Sequence, residues 1–557
     1  MATATASARR LSIRTRLVLI LALIFLVFAV YSRSLAFQFI LDDHRFTSDP
    51  RIREWGHIWE YFANFVWAQF AGGPNSFYRP VFLLWLRINF VLTGLSPWGW
   101  HFLSISKHLF VALLLGLLIW RLLADWISAF VGASLFALHP AQTESVSWVT
   151  VPDPLMAAGL AGSLLFYLAY VGYRSSATET LEKAPRRKNT SRALKASPLW
   201  LAAATGAYFA ALLTKETAIV FLPVIFLSAF YLAPPLEATA TLALRLRNAL
   251  LHSVPFLCAT AAYLLLRFHA LGKLASETQH LSWRTQALTW PAILWFYVKA
   301  MLWPVKSYSF ADPILIEKFS PPGVLFPLAA LAIFVAALMA ALFWAWRKAQ
   351  REFNSEQFLG IKVALVIGTS LLILPLLPAL NLNALNPGDF LHGRYTYLPI
   401  AGLMLLLATA WRLLENIRVV LLSAAGAITA LFVVLTLSQE MQWQDDATVF
   451  ATAHRLAPNN APVARNLADT SVQVALQLQQ EGRCNEAIPM FEQVIQNYPD
   501  DWYAWAGRGV CYAELNDLQK AEESLHRAAN ISHNPRVVEQ WQALRAHMGL
   551  PSFGPKN

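Results

Sequence analysis

Arg14-Thr15-Arg16-Leu17-Val18-Leu19-Ile20-Leu21-Ala22-Leu23-Ile24-Phe25-Leu26-Val27-Phe28-Ala29-Val30 is the stretch on which the reading of the fold turns. Arg9 and Arg10 stand just upstream, and the apolar run continues through Tyr31 to Phe37. That length approaches the roughly 20 residues a helix needs to cross hydrocarbon. No Ala-x-Ala-like cleavage site ends the run, so it reads as a retained signal anchor with its N-terminus in the cytoplasm.

Further apolar runs follow at His101–Leu123, Ile127–Leu138, Leu155–Tyr173, Leu199–Leu213, Ala218–Leu232, Ala249–Phe268, Gly323–Trp346, Ile361–Leu380, Tyr397–Leu414 and Val419–Leu437. Composition agrees with a membrane class. The 557 residues are 57% hydrophobic and 14% charged, with 21 Trp and 35 Phe, against about 25% charged for an ordinary soluble domain. The net charge of +11 does not point to nucleic acid. Most of the basic residues sit in short connectors between apolar runs, where Lys and Arg set orientation in a membrane.

The connectors fix the expected topology. Lys183, Arg186, Arg187, Lys188 and Arg192 crowd one loop, and Arg245/Arg247, Arg347/Lys348/Arg351 and Arg412/Arg418 mark three more. All four are cytoplasmic if the chain crosses about eleven times, starting outward. Two segments must then not cross: Tyr78–Leu95, with Arg79, Arg87 and Asn89, and Ala287–Val305, with Pro291, Lys299 and Pro304. Both are expected as amphipathic helices at the outer interface. The odd count leaves everything after Leu437 outside, and the expected location is a bacterial inner membrane, with that tail in the periplasm or an equivalent lumen.

The tail, residues 439–557, carries a different pattern from residues 1–438. Ala487, Phe491 and Pro499 are followed by Trp505, Gly509, Tyr512, Ala521 and Ala528. These are the Trp-Gly-Tyr…Ala…Ala positions of the tetratricopeptide repeat, with its period of about 34 residues. Gly482 supplies one turn, Asn516 stands where the second turn prefers Gly, and the helix before Gly482 is about two turns too long. Ala447–Pro458 reads as a half repeat. The fold class expected is therefore all-α: a polytopic membrane bundle followed by a helical-repeat domain, whose stacked hairpins offer a surface to protein partners. Cys484 and Cys511 both lie in the repeats; their spacing leaves open whether they pair. Neither metal-type Cys spacing nor a phosphate-cradling Gly-rich loop is present.

Ionisable residues gather at the outer turns. Asp42 and Asp43 follow the first span; His139, Glu144 and Asp153 flank the second outer turn; Lys215 and Glu216 interrupt a hairpin of spans; His392 and Arg394 open a late span from outside. Each has a local explanation: the acids cap a loop helix, His139 pairs with Glu144, Lys215 and Glu216 merely polarise a turn, Arg394 anchors at the interface. A stripe of His101, Ser104 and His108, beside Lys107, reads as packing between helices. Taken together, acids and the cations Arg79, Lys215 and Arg394 fall on one side, which is equipment for holding a phosphate-bearing lipid against a carboxylate base.

Leu41-Asp42-Asp43, Tyr78-Arg79-Pro80, Phe136-Ala137-Leu138-His139-Pro140…Thr143-Glu144, Thr214-Lys215-Glu216-Thr217 and Gly393-Arg394-Tyr395-Thr396-Tyr397-Leu398-Pro399 occur in that order ahead of the repeats. In this the chain resembles the transmembrane, tetratricopeptide-containing O-mannosyltransferases of the GT-C glycosyltransferase superfamily, over nearly its whole length. The resemblance implies transfer of a mannose-like sugar from a polyprenyl-phosphate carrier to a hydroxyl acceptor, a protein Ser/Thr, outside the cytoplasm. It maps the catalytic acid or divalent-metal ligand onto Asp42 or Asp43, and the carrier-phosphate contacts onto Arg79, Lys215 and Arg394. His139, Glu144, Asp153, Glu216 and His392 are further active-site candidates. Val151-Pro152-Asp153 stands where relatives more usually have Gly-Arg-Ala-Asp. The alternatives are a polysaccharide- or lipid-directed transferase and, in other classes, a repeat-bearing assembly scaffold or a transporter. A scaffold would not need the acid–cation constellation, and a transporter would show inverted internal repeats.

Overall fold

Each of the eleven apolar runs is helical in the computed structural model, which describes residues 11–70, 77–173, 197–233, 241–274, 278–385 and 391–551. The basic loop carrying Lys183 to Arg192 lies outside the described residues. No strand occurs among the described residues; with apolar helices this long, the chain is a polytopic integral membrane protein carrying a C-terminal repeat domain. It divides into two units, residues 1–444 and 445–557.

In the first unit we number the longer helices α1 (Ile13–Val30), α2 (Pro80–Thr93), α3 (Pro97–Leu123), α4 (Trp126–Ala137), α5 (Asp153–Tyr170), α6 (Pro198–Thr214) and α7 (Phe221–Leu232). They continue as α8 (Leu242–Leu271), α9 (Trp283–Leu302), α10 (Phe326–Glu352), α11 (Ser355–Ile373), α12 (Tyr397–Leu413) and α13 (Arg418–Glu440). Among the described residues α1, α3, α5, α8, α10, α11, α12 and α13 are long and apolar enough to cross a membrane; α2, α4, α6 and the segment Glu216–Leu232 are shorter apolar helices. Helix starts follow local chemistry. Ser12 caps α1 by accepting from Thr15 N–H, and Pro occupies the first helical position of α2, α3 and α6, where its missing N–H is not needed.

The extent of the first helix needs correction, and two further segments gain definition. The first helix stops at Val30, and Ser32–Ala36 form a 3-10 turn instead of prolonging it to Phe37. The expected interfacial helix near Ala287 is α9, and its Ile293, Tyr297 and Met301 are buried in the main core. In α2, Arg87 is buried and donates from Nη1 to the Ile52 carbonyl at 2.6 Å, so this polar residue holds the loop after α1.

The second unit consists of α14 (Asp446–Leu456), α15 (Ala461–Gln480), α16 (Cys484–Asn497), α17 (Trp502–Glu514), α18 (Leu518–Ser532) and α19 (Pro535–His547). The long α15 is the oversized helix that the repeat spacing implies. A Cβ on Gly507 would stand 2.3 Å from the Phe491 ring, so this crossing of α16 and α17 admits only glycine. Asn516 takes φ 63°, serving as the turn residue at the position where Gly is preferred. Cys484 and Cys511 are joined in a disulfide between α16 and α17.

Candidate active site

The polar stripe of α3 holds two loops in place. His101 Nε2 meets the Gln38 carbonyl at 3.4 Å, Ser104 donates to the Val146 carbonyl at 2.8 Å, and Lys107 Nζ donates to the Val151 carbonyl at 3.2 Å. His108 bridges the Tyr397 hydroxyl (2.8 Å) and the Ala137 carbonyl (2.9 Å). Irregular backbone at this depth leaves carbonyls without partners, and these side chains satisfy them.

On that support the structure assembles three cations, each with its own carboxylate. Lys215 Nζ lies 2.7 Å from both oxygens of Asp153. Arg79 grips Glu216 through Nε (3.0 Å) and Nη2 (2.6 Å), with its guanidinium over the Phe77 ring. Arg394 holds Glu144 twice, from backbone N–H to Oε2 and from Nη1 to Oε1, each at 3.0 Å. The pairs form one cluster, since Arg79, Arg394 and Asp153 all act electrostatically on Lys215. The Tyr395 ring lies 5.2 Å from Lys215 Nζ and 5.6 Å from the Arg394 guanidinium, which also covers Trp148 at 4.9 Å. Gly393 lets Glu144 approach: a Cβ there would stand 3.1 Å from Glu144 Oε2.

The acidic dipeptide divides into two roles. Asp43 is fully buried. Its Oδ2 accepts from Ile40 N–H (3.1 Å), and its Oδ1 accepts from the Thr150 hydroxyl (2.6 Å) and N–H (3.3 Å). Burial, the largest influence, pushes its carboxyl up to about 7 despite those bonds. Asp42 is half-buried at the N-cap position of the short helix Asp43–Ser48, yet its side chain makes no capping bond, so the local capping explanation does not hold. Leu41, just before it, has φ 52°, a left-handed conformation rare for a branched apolar side chain.

Arg79, Lys215, Arg394, Glu144, Asp153 and Glu216 are thus brought together, and His392 Nδ1 lies 3.6 Å from Glu144 Oε1. His139 is not part of the cluster. Its Nε2 faces the Met301 carbonyl (3.0 Å), its Nδ1 accepts from Ala141 N–H (3.2 Å), and Glu144 is committed to Arg394 instead. Among the described residues Asp42 and Asp43 stand as a pair of acids without a third ligating His, Cys, Asp or Glu, and both Asp43 oxygens already accept hydrogen bonds. Sequence reasoning passed over Thr150 and Trp148. Trp148 and Thr150 lie within the turn between α4 and α5, where an aromatic and a hydroxyl beside the acids were the available signal.

A tetratricopeptide repeat family model matches residues 478–548. Over 537 residues the chain is 25% identical to human protein O-mannosyl-transferase TMTC3, covering 92% of this chain and 54% of that protein. Mouse protein O-mannosyl-transferase TMTC1 is 33% identical over 151 residues, 26% of this chain and 16% of that protein. The chain spans about half the length of the TMTC3 proteins it matches along most of its own length. Among solved structures, ArnT from Cupriavidus metallidurans superimposes with a TM-score of 0.39 at 16% identity, covering 93% of this chain and 79% of that one. The Archaeoglobus fulgidus oligosaccharyltransferase gives 0.37 at 12% identity, with 82% and 60% covered. In sequence the chain is similar to these O-mannosyl-transferases along most of its own length.

Proposed function

We propose that this protein is an integral-membrane glycosyltransferase. It moves a mannose-type sugar from a polyprenyl-phosphate carrier to a hydroxyl of a protein Ser or Thr on the extracytoplasmic face. The observation that carries the reading is the cluster of Arg79, Lys215 and Arg394, drawn from three distant parts of the chain and linked through Asp153 and Thr150 to the loop bearing Asp42 and Asp43.

In this scheme Asp42 takes the acceptor hydroxyl proton as the oxygen attacks the anomeric carbon and the bond from that carbon to the phosphate oxygen breaks. The leaving lipid phosphate gains charge, which the three cations stabilise where water is scarce. Glu144, Asp153 and Glu216 keep those cations oriented before the donor arrives. Asp43 holds the loop through Ile40 and Thr150. The disulfide between Cys484 and Cys511 supports an oxidising, extracytoplasmic side for the repeats, which are proposed to present protein acceptors or partners.

The test is transfer in nanodiscs from polyprenyl-phosphate mannose to Ser/Thr peptides, with polysaccharide and lipid acceptors in parallel. Mass spectrometry of envelope proteins with and without the gene accompanies it. Modification of the glycan or lipid acceptor alone would refute the protein acceptor, and no transfer from any lipid-linked sugar would refute the enzyme.

A further inference from the structure

We infer that residues 150–153 form a strut that sets the separation between the acidic loop and the donor-phosphate cations, and that Lys107 is the positioning residue that pins it; this rests on the functional reading above. Four consecutive residues bind three other elements. Thr150 holds Asp43 through its hydroxyl and N–H. The Val151 carbonyl accepts from Lys107 Nζ in α3. Both Asp153 oxygens accept from Lys215, just past the end of α6.

The strut is short and stiff. Three residue steps span at most about 11 Å between Thr150 and Asp153. Pro152 locks its own φ, and Val151, standing before a proline, is biased to extended backbone. One end therefore cannot move without the other: a shift at Asp43 is passed to Lys215. The backbone between them is anchored at its middle by one side chain.

That side chain is an unexpected choice for packing alone. Lys107 is buried within an apolar helix, and its ammonium has one hydrogen bond and no ion pair among the described residues. Burying a cation on a neutral carbonyl is costly. The compensation is its position, within electrostatic reach of both Asp43 and Asp153. Lys107 therefore attracts both acidic ends of the strut while bonding to its centre. An apolar residue would fill the space and do neither.

The experiment uses full-length protein in nanodiscs, with Lys107→Met, Lys107→Gln and Thr150→Val. Because a misplacement of about 1 Å can cost on the order of 10²-fold, Lys107→Met should lower kcat by roughly that factor while donor-lipid affinity stays within about twofold. The Gln amide still donates to the Val151 carbonyl, so Lys107→Gln should regain about tenfold of the loss. Thr150→Val, with Lys107 intact, should reproduce the kcat loss. Amide exchange should rise at Ile40–Asp43 and Val149–Asp153 in both Lys107→Met and Thr150→Val.

Wild-type kcat in Lys107→Met or in Thr150→Val overturns the inference. A loss of donor affinity like that of Lys215→Ala also overturns it, making Lys107 a phosphate contact. Lys107→Gln no better than Lys107→Met overturns the strut in favour of charge alone. If wild-type protein transfers nothing from a lipid-linked sugar, the functional reading fails, and amide exchange still decides: unchanged exchange in both variants removes the strut. Should Lys107→Met fail to fold, Thr150→Val alone carries both readouts.

Discussion

The pair of Lys215 and Asp153 offers the sharpest quantitative test of the cluster. Both side chains are about 95% buried, and the ammonium contacts both carboxylate oxygens at 2.7 Å. Breaking a buried pair from one side leaves an uncompensated charge and costs about 3–5 kcal/mol. The two single substitutions should not be equal. Asp153→Asn removes the carboxylate that also acts on Lys107 and Arg79, leaving three cations short of a counter-charge. Lys215→Met leaves Asp153 with Lys107 and Arg79 still in reach. Asp153→Asn should therefore lie near ~5 kcal/mol and Lys215→Met near ~3 kcal/mol. Removing both partners removes the mismatch between them, so the double variant should cost no more than about 4 kcal/mol, against ~8 kcal/mol if the effects simply added. The assay is reversible unfolding in mixed SDS and nonionic micelles, followed by the fluorescence of the 21 Trp residues. A double variant whose cost equals the sum of the two singles would refute the buried pair.

Asp42→Asn should lower turnover by about 10²–10⁴-fold with the fold intact, the usual scale for a general base; wild-type turnover in peptide transfer would exclude Asp42. Asp43 should show itself in stability. Its carboxyl, raised from 3.8 to about 7, binds a proton more tightly folded than unfolded. Its contribution is therefore fully present below pH 3.8 and lost as pH rises through about 7; Asp43→Asn should flatten the unfolding free energy across that window, and an unchanged slope would reject the shift. Arg394→Lys should weaken donor-lipid binding although the charge is kept, since Lys cannot reproduce the planar fork; unchanged affinity would place the phosphate elsewhere. In a Cys258→Ser background, an impermeant thiol reagent on intact cells should label Glu523→Cys and leave Ser355→Cys unlabelled, and the reverse would invert the topology.

The periodic and local features of the chain were legible in its residues. Apolar runs marked where the long helices lie, because burial in hydrocarbon demands uninterrupted apolar length. The repeat was legible because Gly509, Tyr512 and Ala521 recur at steric requirements, seen in the 2.8 Å that a Cβ on Gly509 would leave to Leu525. Helix α9 shows only part of its role in one dimension. Its Pro291, Lys299 and Trp residues look interfacial, and in the fold Tyr297 and Met301 face the core while the Met301 carbonyl receives His139.

What the residues could not show was partnership. These loop acids and cations had bland local explanations, and those were the natural guess: His139 for Glu144, a polar turn for Lys215 and Glu216, a helix end for Asp42. The fold rejects all three. Glu144 reaches Arg394 across 250 residues, Glu216 reaches Arg79 across 137, Asp43 reaches Thr150 across 107, and Asp153 reaches Lys215 across 62. Closing such separations is entropically expensive, and burying the charged groups that close them is expensive again. A scaffold or a simple bundle would satisfy the same groups more cheaply with local pairs or with apolar side chains. Several long-range pairs converging on one cluster therefore favour a charged substrate at that place over packing as the reason these residues are there.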